Sequence, residues 1–99
     1  MGRIRRHTIR TNGQGDAHDI TRLAAAAAAG VASGLLTVFV VGSTAAVTTI
    51  EFEPGAVADL NALLDRLAPR DGRYAHHERW GDDNGSSHVR AGACRTRAA

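Results

Sequence analysis

Residues 39–59 read Phe39-Val-Val-Gly-Ser-Thr-Ala-Ala-Val-Thr-Thr-Ile-Glu-Phe-Glu-Pro-Gly-Ala-Val-Ala-Asp59, and the fold class turns on this stretch. The apolar run 35–41 enters it, and a continuous apolar run bounded by turn residues reads as a central strand buried on both faces. Gly42–Ala46 supplies the turn. Val47–Glu51, rich in β-branched residues, reads as the neighbouring strand. Pro54 then opens a helix, because proline lacks the N–H that would be unpaired at a first helical position. Val57, Leu60, Leu63, Leu64 and Leu67 recur at helical spacing and predict one apolar face. Arg66 and Arg70 suit the C-terminal end, where positive charge is favoured, and Pro69 stops the helix.

Toward the N-terminus, residues 3–10 read as a further strand, although Ile4 and Ile9 have opposite parity. Asn12–Gly15 is a turn. Asp19 or Thr21 can cap a helix starting near Thr21, which alanine carries to about Ser33, with Gly34 in the left-handed terminating position. The expected architecture is therefore α+β, a small single domain with two helices packed on a mixed or antiparallel sheet. Beyond Arg70 the chain turns polar, with few apolar anchors before Val89. Such a long irregular segment in a compact domain reads as functional or disordered.

Composition narrows the function classes. Ninety-nine residues allow one small domain. All twelve basic residues are arginine, and the net charge of +2 is too small to argue for a nucleic-acid partner. Arg3, Arg5, Arg6 and Arg10 cluster, but read as a solvated edge strand. A single cysteine, Cys94, excludes an intramolecular disulfide and favours a cytoplasmic setting. No charge occurs from Leu23 to Ile50, a span long enough to cross a bilayer, so a single-pass membrane protein is a rival reading. The weakly hydrophobic alanine run and the Gly, Ser and Thr interruptions count against it.

The candidate chemistry lies in the polar segment. His76 and His88 flank Asp82, Asp83 and Asn84, and imidazole with carboxylate suits proton transfer or a divalent cation, magnesium or zinc. His76, Asp82 and His88 are the candidate ligands. Glu51 ends a strand and could point into a pocket. Ser43 and Thr44 offer hydroxyls beside small residues that would let backbone N–H groups approach a phosphate. Arg90 could neutralise that phosphate. His7, His18 and His77 read as surface residues.

Two signatures, Ser43-Thr44-Ala45-Ala46 with Glu51 and Trp80-Gly-Asp-Asp-Asn-Gly-Ser-Ser-His-Val-Arg-Ala91, resemble the YjbQ-like family, often labelled secondary thiamine-phosphate synthase. The resemblance covers about residues 8–91. It implies a small α+β domain that assembles as a homotrimer and acts on a small phosphorylated molecule. The implied catalytic residues are Glu51, His76 and His88, with Ser43, Thr44, Asn84 and Arg90 on the phosphate. Two departures stand out. Ser86 occupies a position where members commonly carry histidine, and the tail from Gly92 onward resembles none of the family sequence. A domain over residues 1–91 lacking its C-terminal strands, followed by an unrelated, frame-shifted tail over 92–99, is the expectation. An inactive fragment and a non-catalytic metal or ligand binder are the functional alternatives.

Overall fold

The apolar face expected for the helix after Pro54 is only partly covered: Val57, Leu60 and Leu64 are half-buried, whereas Leu63 and Leu67 face solvent. The computed structural model describes residues 2–94, and its elements are α1 (Thr21–Ala27), α2 (Pro54–Leu67), α3 (Ala75–Trp80) and α4 (Gly85–Cys94). The chain divides between Val38 and Phe39 into two units.

In the first unit, Asp19 Oδ1 accepts hydrogen bonds from the Thr21 amide at 2.9 Å and the Thr21 hydroxyl at 2.6 Å. Those bonds hold the Asp19 carboxyl below its ordinary range, as bonds from Asn12 and His18 do for Asp16. Asp19 thus serves the first turn, as expected, although Ile20 occupies the capping position. The helix stops sooner than the alanine run suggested. Ala29 and Val31 donate to carbonyls only three residues back, and Gly30 takes the left-handed conformation (φ 78°) instead of Gly34. Alanine favours helix intrinsically, but a lone short helix with no buried residue gains little from packing. Arg3 Nη2 donates to the Ala29 carbonyl at 2.8 Å, satisfying a group that the helix end leaves open.

The second unit begins with the stretch on which the fold class turned, and here the α+β expectation is overturned. Among the described residues there are four helices and no strand, so no sheet carries the helices. The segments 3–10, 35–41 and 47–51 have strand-like composition, but β-branched residues favour an extended backbone without creating a sheet. A strand exists only when another extended segment supplies a ladder alongside it, and none does so among the described residues. Leu35 is 95% exposed and Val41 89%, whereas a central strand would have buried both.

α2 follows the sequence closely. Glu53 caps it, its Oε2 accepting from the Gly55 amide at 2.9 Å and its Oε1 from the Ala56 amide, with Pro54 in the first turn. At the far end, Ala68 donates back to Leu64 O at 2.7 Å and Pro69 follows. The polar segment beyond Arg70 is more regular than expected, since it holds α3 and α4, which pack together. Gly81 ends α3 in the left-handed conformation (φ 72°), which a side chain would strain, and its N–H returns to His77 O at 2.9 Å.

α4 is tied to the end of α2 by Arg90. Its Nε donates to Ala68 O at 2.9 Å and its Nη2 to Asp65 Oδ1 at 2.8 Å. The arginine side chain is 8% exposed, whereas Asp65 is 70% exposed, so the carbonyl contact outweighs the solvent-screened ion pair. Ala68 and Ala91 are the buried apolar residues of the described chain.

Two outcomes follow from this packing. Apolar burial stabilises by about 25 cal/mol per Å², and two alanines supply little of it. Thermal unfolding followed by circular dichroism and calorimetry should therefore be broad and weakly cooperative, and a sharp two-state transition would contradict the described packing. Arg90→Ala should strip the buried Ala68 carbonyl of its donor, at a local cost of about 2 kcal/mol. Amide exchange at Ala68 should then accelerate roughly thirtyfold. Arg90→Lys, which keeps the charge but not the forked geometry, should recover only part of the protection.

Candidate functional site

Successive residues on a helix point about 100° apart, so His76 and His77 leave α3 in different directions. His76 meets the loop between α3 and α4. Its Nε2 lies 3.0 Å from Asp82 Oδ1 and 3.0 Å from Asn84 Oδ1. A carboxylate and an amide oxygen only accept, so Nε2 carries the hydrogen and shares it between them. In the neutral ring this leaves the lone pair on Nδ1. The His88 ring, from the first turns of α4, stands 4.5 Å from the His76 ring, tilted by 51°. Both imidazoles are half-buried, while Asp82 and Asn84 remain exposed.

The backbone explains how the four residues meet. The Asn84 carbonyl accepts from Ser87 and His88 at 3.0 and 3.2 Å, forming the first turn of α4 while its side chain is turned to His76. The left-handed Gly81 turns the chain out of α3, so the acidic loop passes His76. His76, Asp82, Asn84 and His88 are therefore gathered, as their sequence grouping anticipated.

The other expected site residues are placed differently. Ser43, Thr44 and Glu51 lie exposed in the non-helical segment before α2, and no hydrogen bond or ion pair among the described residues joins them to the histidines. Arg90, expected to meet a phosphate, is buried and donates to Ala68 and Asp65 instead. The reason is local: on α4 it lies two residues from His88 and so on a different face of the helix. His77, read as a surface residue, accepts a hydrogen bond from the Gly85 amide at 3.0 Å in a part-buried setting. No sequence motif announces that role. The close spacing of His77 to the glycine opening α4 is the one available signal.

A resident metal was a second expectation for His76, Asp82 and His88. Among the described residues, no group of three or more His, Cys, Asp or Glu side chains is arranged to hold a metal ion. His76 Nε2 lies within hydrogen-bond distance of two oxygens, Asp82 Oδ1 and Asn84 Oδ1, in this arrangement. No helix among the described residues is long and apolar enough to cross a membrane, and the uncharged span 23–50 contributes only the latter part of α1 to helix.

Comparison with known proteins agrees with the two sequence signatures. The chain is 32% identical over 85 residues to a UPF0047 protein of Methanothermobacter thermautotrophicus, an alignment covering 84% of this chain and 58% of that protein. The chain thus spans a little over half the length of the curated relative it matches. No solved structure matches it. The pattern of the family described as UPF0047 protein YjbQ-like matches residues 5–98, running past Ala91 into the tail, and the chain belongs to that family.

Proposed function

We propose that this chain handles a small phosphate-bearing molecule by proton transfer, with His76 and His88 as the transferring groups. The observation that carries the reading is the His76 imidazole, whose Nε2–H is held by Asp82 and Asn84 at 3.0 Å beside the His88 ring. A carboxylate on one ring nitrogen orients the imidazole and stabilises the imidazolium formed when the other nitrogen takes a proton. His76 Nδ1 is accordingly the basic atom, and His88 is close enough to receive or return the proton within the same site. Once protonated, either ring is also a cation that a phosphate oxygen can meet.

The resemblance to YjbQ-like proteins supports a finer reading, thiamine-phosphate synthesis. There a pyrimidine diphosphate is joined to a thiazole phosphate: the thiazole nitrogen forms the new C–N bond and pyrophosphate departs. A protonated His76 or His88 would neutralise that departing group. Homotrimer assembly and a cytoplasmic setting belong to the same reading.

Inorganic pyrophosphate is the direct probe. Titration should shift the imidazole C–H resonances of His76 and His88, and His76→Ala or His88→Ala should weaken binding at least tenfold. In an assay for thiamine phosphate, His76→Ala should lower turnover by about 10²–10⁴-fold. Asp82→Asn should lower it less, because an amide oxygen can still accept from Nε2–H. Unchanged pyrophosphate affinity in both alanine variants would reject the assignment. Parallel titrations with magnesium and zinc test the cation reading, which predicts the same resonances to move without phosphate.

A further inference from the structure

His77 makes no contact that the proposed proton transfer uses, yet it forms a direct hydrogen bond between α3 and α4. Its Nε2 accepts from the Gly85 amide at 3.0 Å, so Nε2 carries the lone pair and Nδ1 the hydrogen. His76 and His77, adjacent in sequence, are thus held in opposite tautomers. The Tyr74 ring packs edge-on against His77, with centroids 5.3 Å apart, and is itself fixed by its hydroxyl donating to Pro69 O at 2.6 Å. Gly85 sits buried against both rings. A Cβ there would lie 2.7 Å from Tyr74 Cβ and 2.9 Å from His77 Nε2, closer than real side chains approach.

We propose that His77, seated on Tyr74 and closing on the Gly85 amide, is a positioning residue that sets the distance between His76 and His88. The argument is one of register. His77 follows His76 directly on α3, and Gly85 opens the helix that presents His88. The hydrogen bond between His77 and Gly85 therefore sets the spacing of the two helices that carry the rings, beside the His76–Asn84 contact, and it needs glycine because any side chain would push the helices apart. An acceptor is required at position 77, not an imidazole as such. Glutamine, whose Oε1 reaches a comparable distance, would serve.

This inference rests on the proposed pyrophosphate site, and its test separates the two. The first measurement is the nuclear Overhauser contact between the His76 and His88 rings, which needs no ligand. It should be present in the unmodified chain, lost in His77→Ala and in Gly85→Ala, and restored in His77→Gln. The second is pyrophosphate affinity, which should fall about tenfold in His77→Ala and recover in His77→Gln, the scale on which loss of an orienting partner acts. Far-UV circular dichroism identifies any variant that loses its helices. His77→Gln then supplies the deciding comparison, since glutamine keeps the acceptor and removes the ring. Retention of the ring–ring contact in His77→Ala would overturn the proposal, as would a His77→Gln variant with intact helices that fails as fully as alanine. A chain that shows the ring contact but binds no pyrophosphate would reject the functional reading and leave the positioning role standing.

Discussion

The Arg90 guanidinium holds the second unit together. Helix ends leave backbone carbonyls without intrahelical partners, and a buried carbonyl without a donor is costly. Arg90 answers that need at Ala68, just past the end of α2, and extends its second nitrogen to Asp65. Ala68 and Ala91 are buried on either side of this contact, so the buried apolar residues lie beside a polar clamp. The cation also stands where the dipole of α2 is negative, which favours it further. The first unit uses the same device on a smaller scale, with Arg3 donating to the carbonyl of Ala29 beyond α1. Where apolar burial is scarce, arginine finishing a helix end is one of the few strong interactions available.

The histidine cluster grows from that frame. Arg90 anchors one face of α4 to α2, and His88 leaves another face toward α3. Two neighbouring histidines on α3 then take complementary parts. His76 offers an N–H to Asp82 and Asn84, while His77 offers a lone pair to Gly85. One imidazole donates to a carboxylate and an amide oxygen, and the other satisfies the amide at the start of a helix. Histidine is the side chain able to play either part, because which nitrogen bears the hydrogen is decided by its partners.

Expectation and structure part most sharply over the uncharged middle of the chain. Leu35–Val41 and Val47–Glu51 carry the β-branched and apolar residues of strands, and composition of that kind records only a preference for extended backbone. Sheet formation is a pairwise event, requiring a second segment at ladder distance. Helices make no such demand, since their hydrogen bonds close within a few residues. That is why α2 matched its expected limits while the strands did not form.

The sequence by itself determined the features whose causes are local. Pro54 and Glu53 begin α2 and Pro69 follows its end, because capping and the missing proline N–H act within one turn. The grouping of His76, Asp82, Asn84 and His88 was also legible, since residues so close along the chain need only one sharp turn, at Gly81, to meet. Family membership was legible in the Ser43–Ala46 and Trp80–Ala91 signatures for the same reason, as both are short and ordered. Tertiary structure alone decided the roles of Arg90 and His77. Arg90 could have met a phosphate in water, and what turns it inward is the carbonyl of Ala68, brought near by packing rather than by sequence proximity. His77 reads as exposed until α4 folds back on α3 and presents the Gly85 amide to it. Both depend on hydrogen-bond partners contributed by another helix, and long-range partners of that kind leave no periodic trace in the sequence.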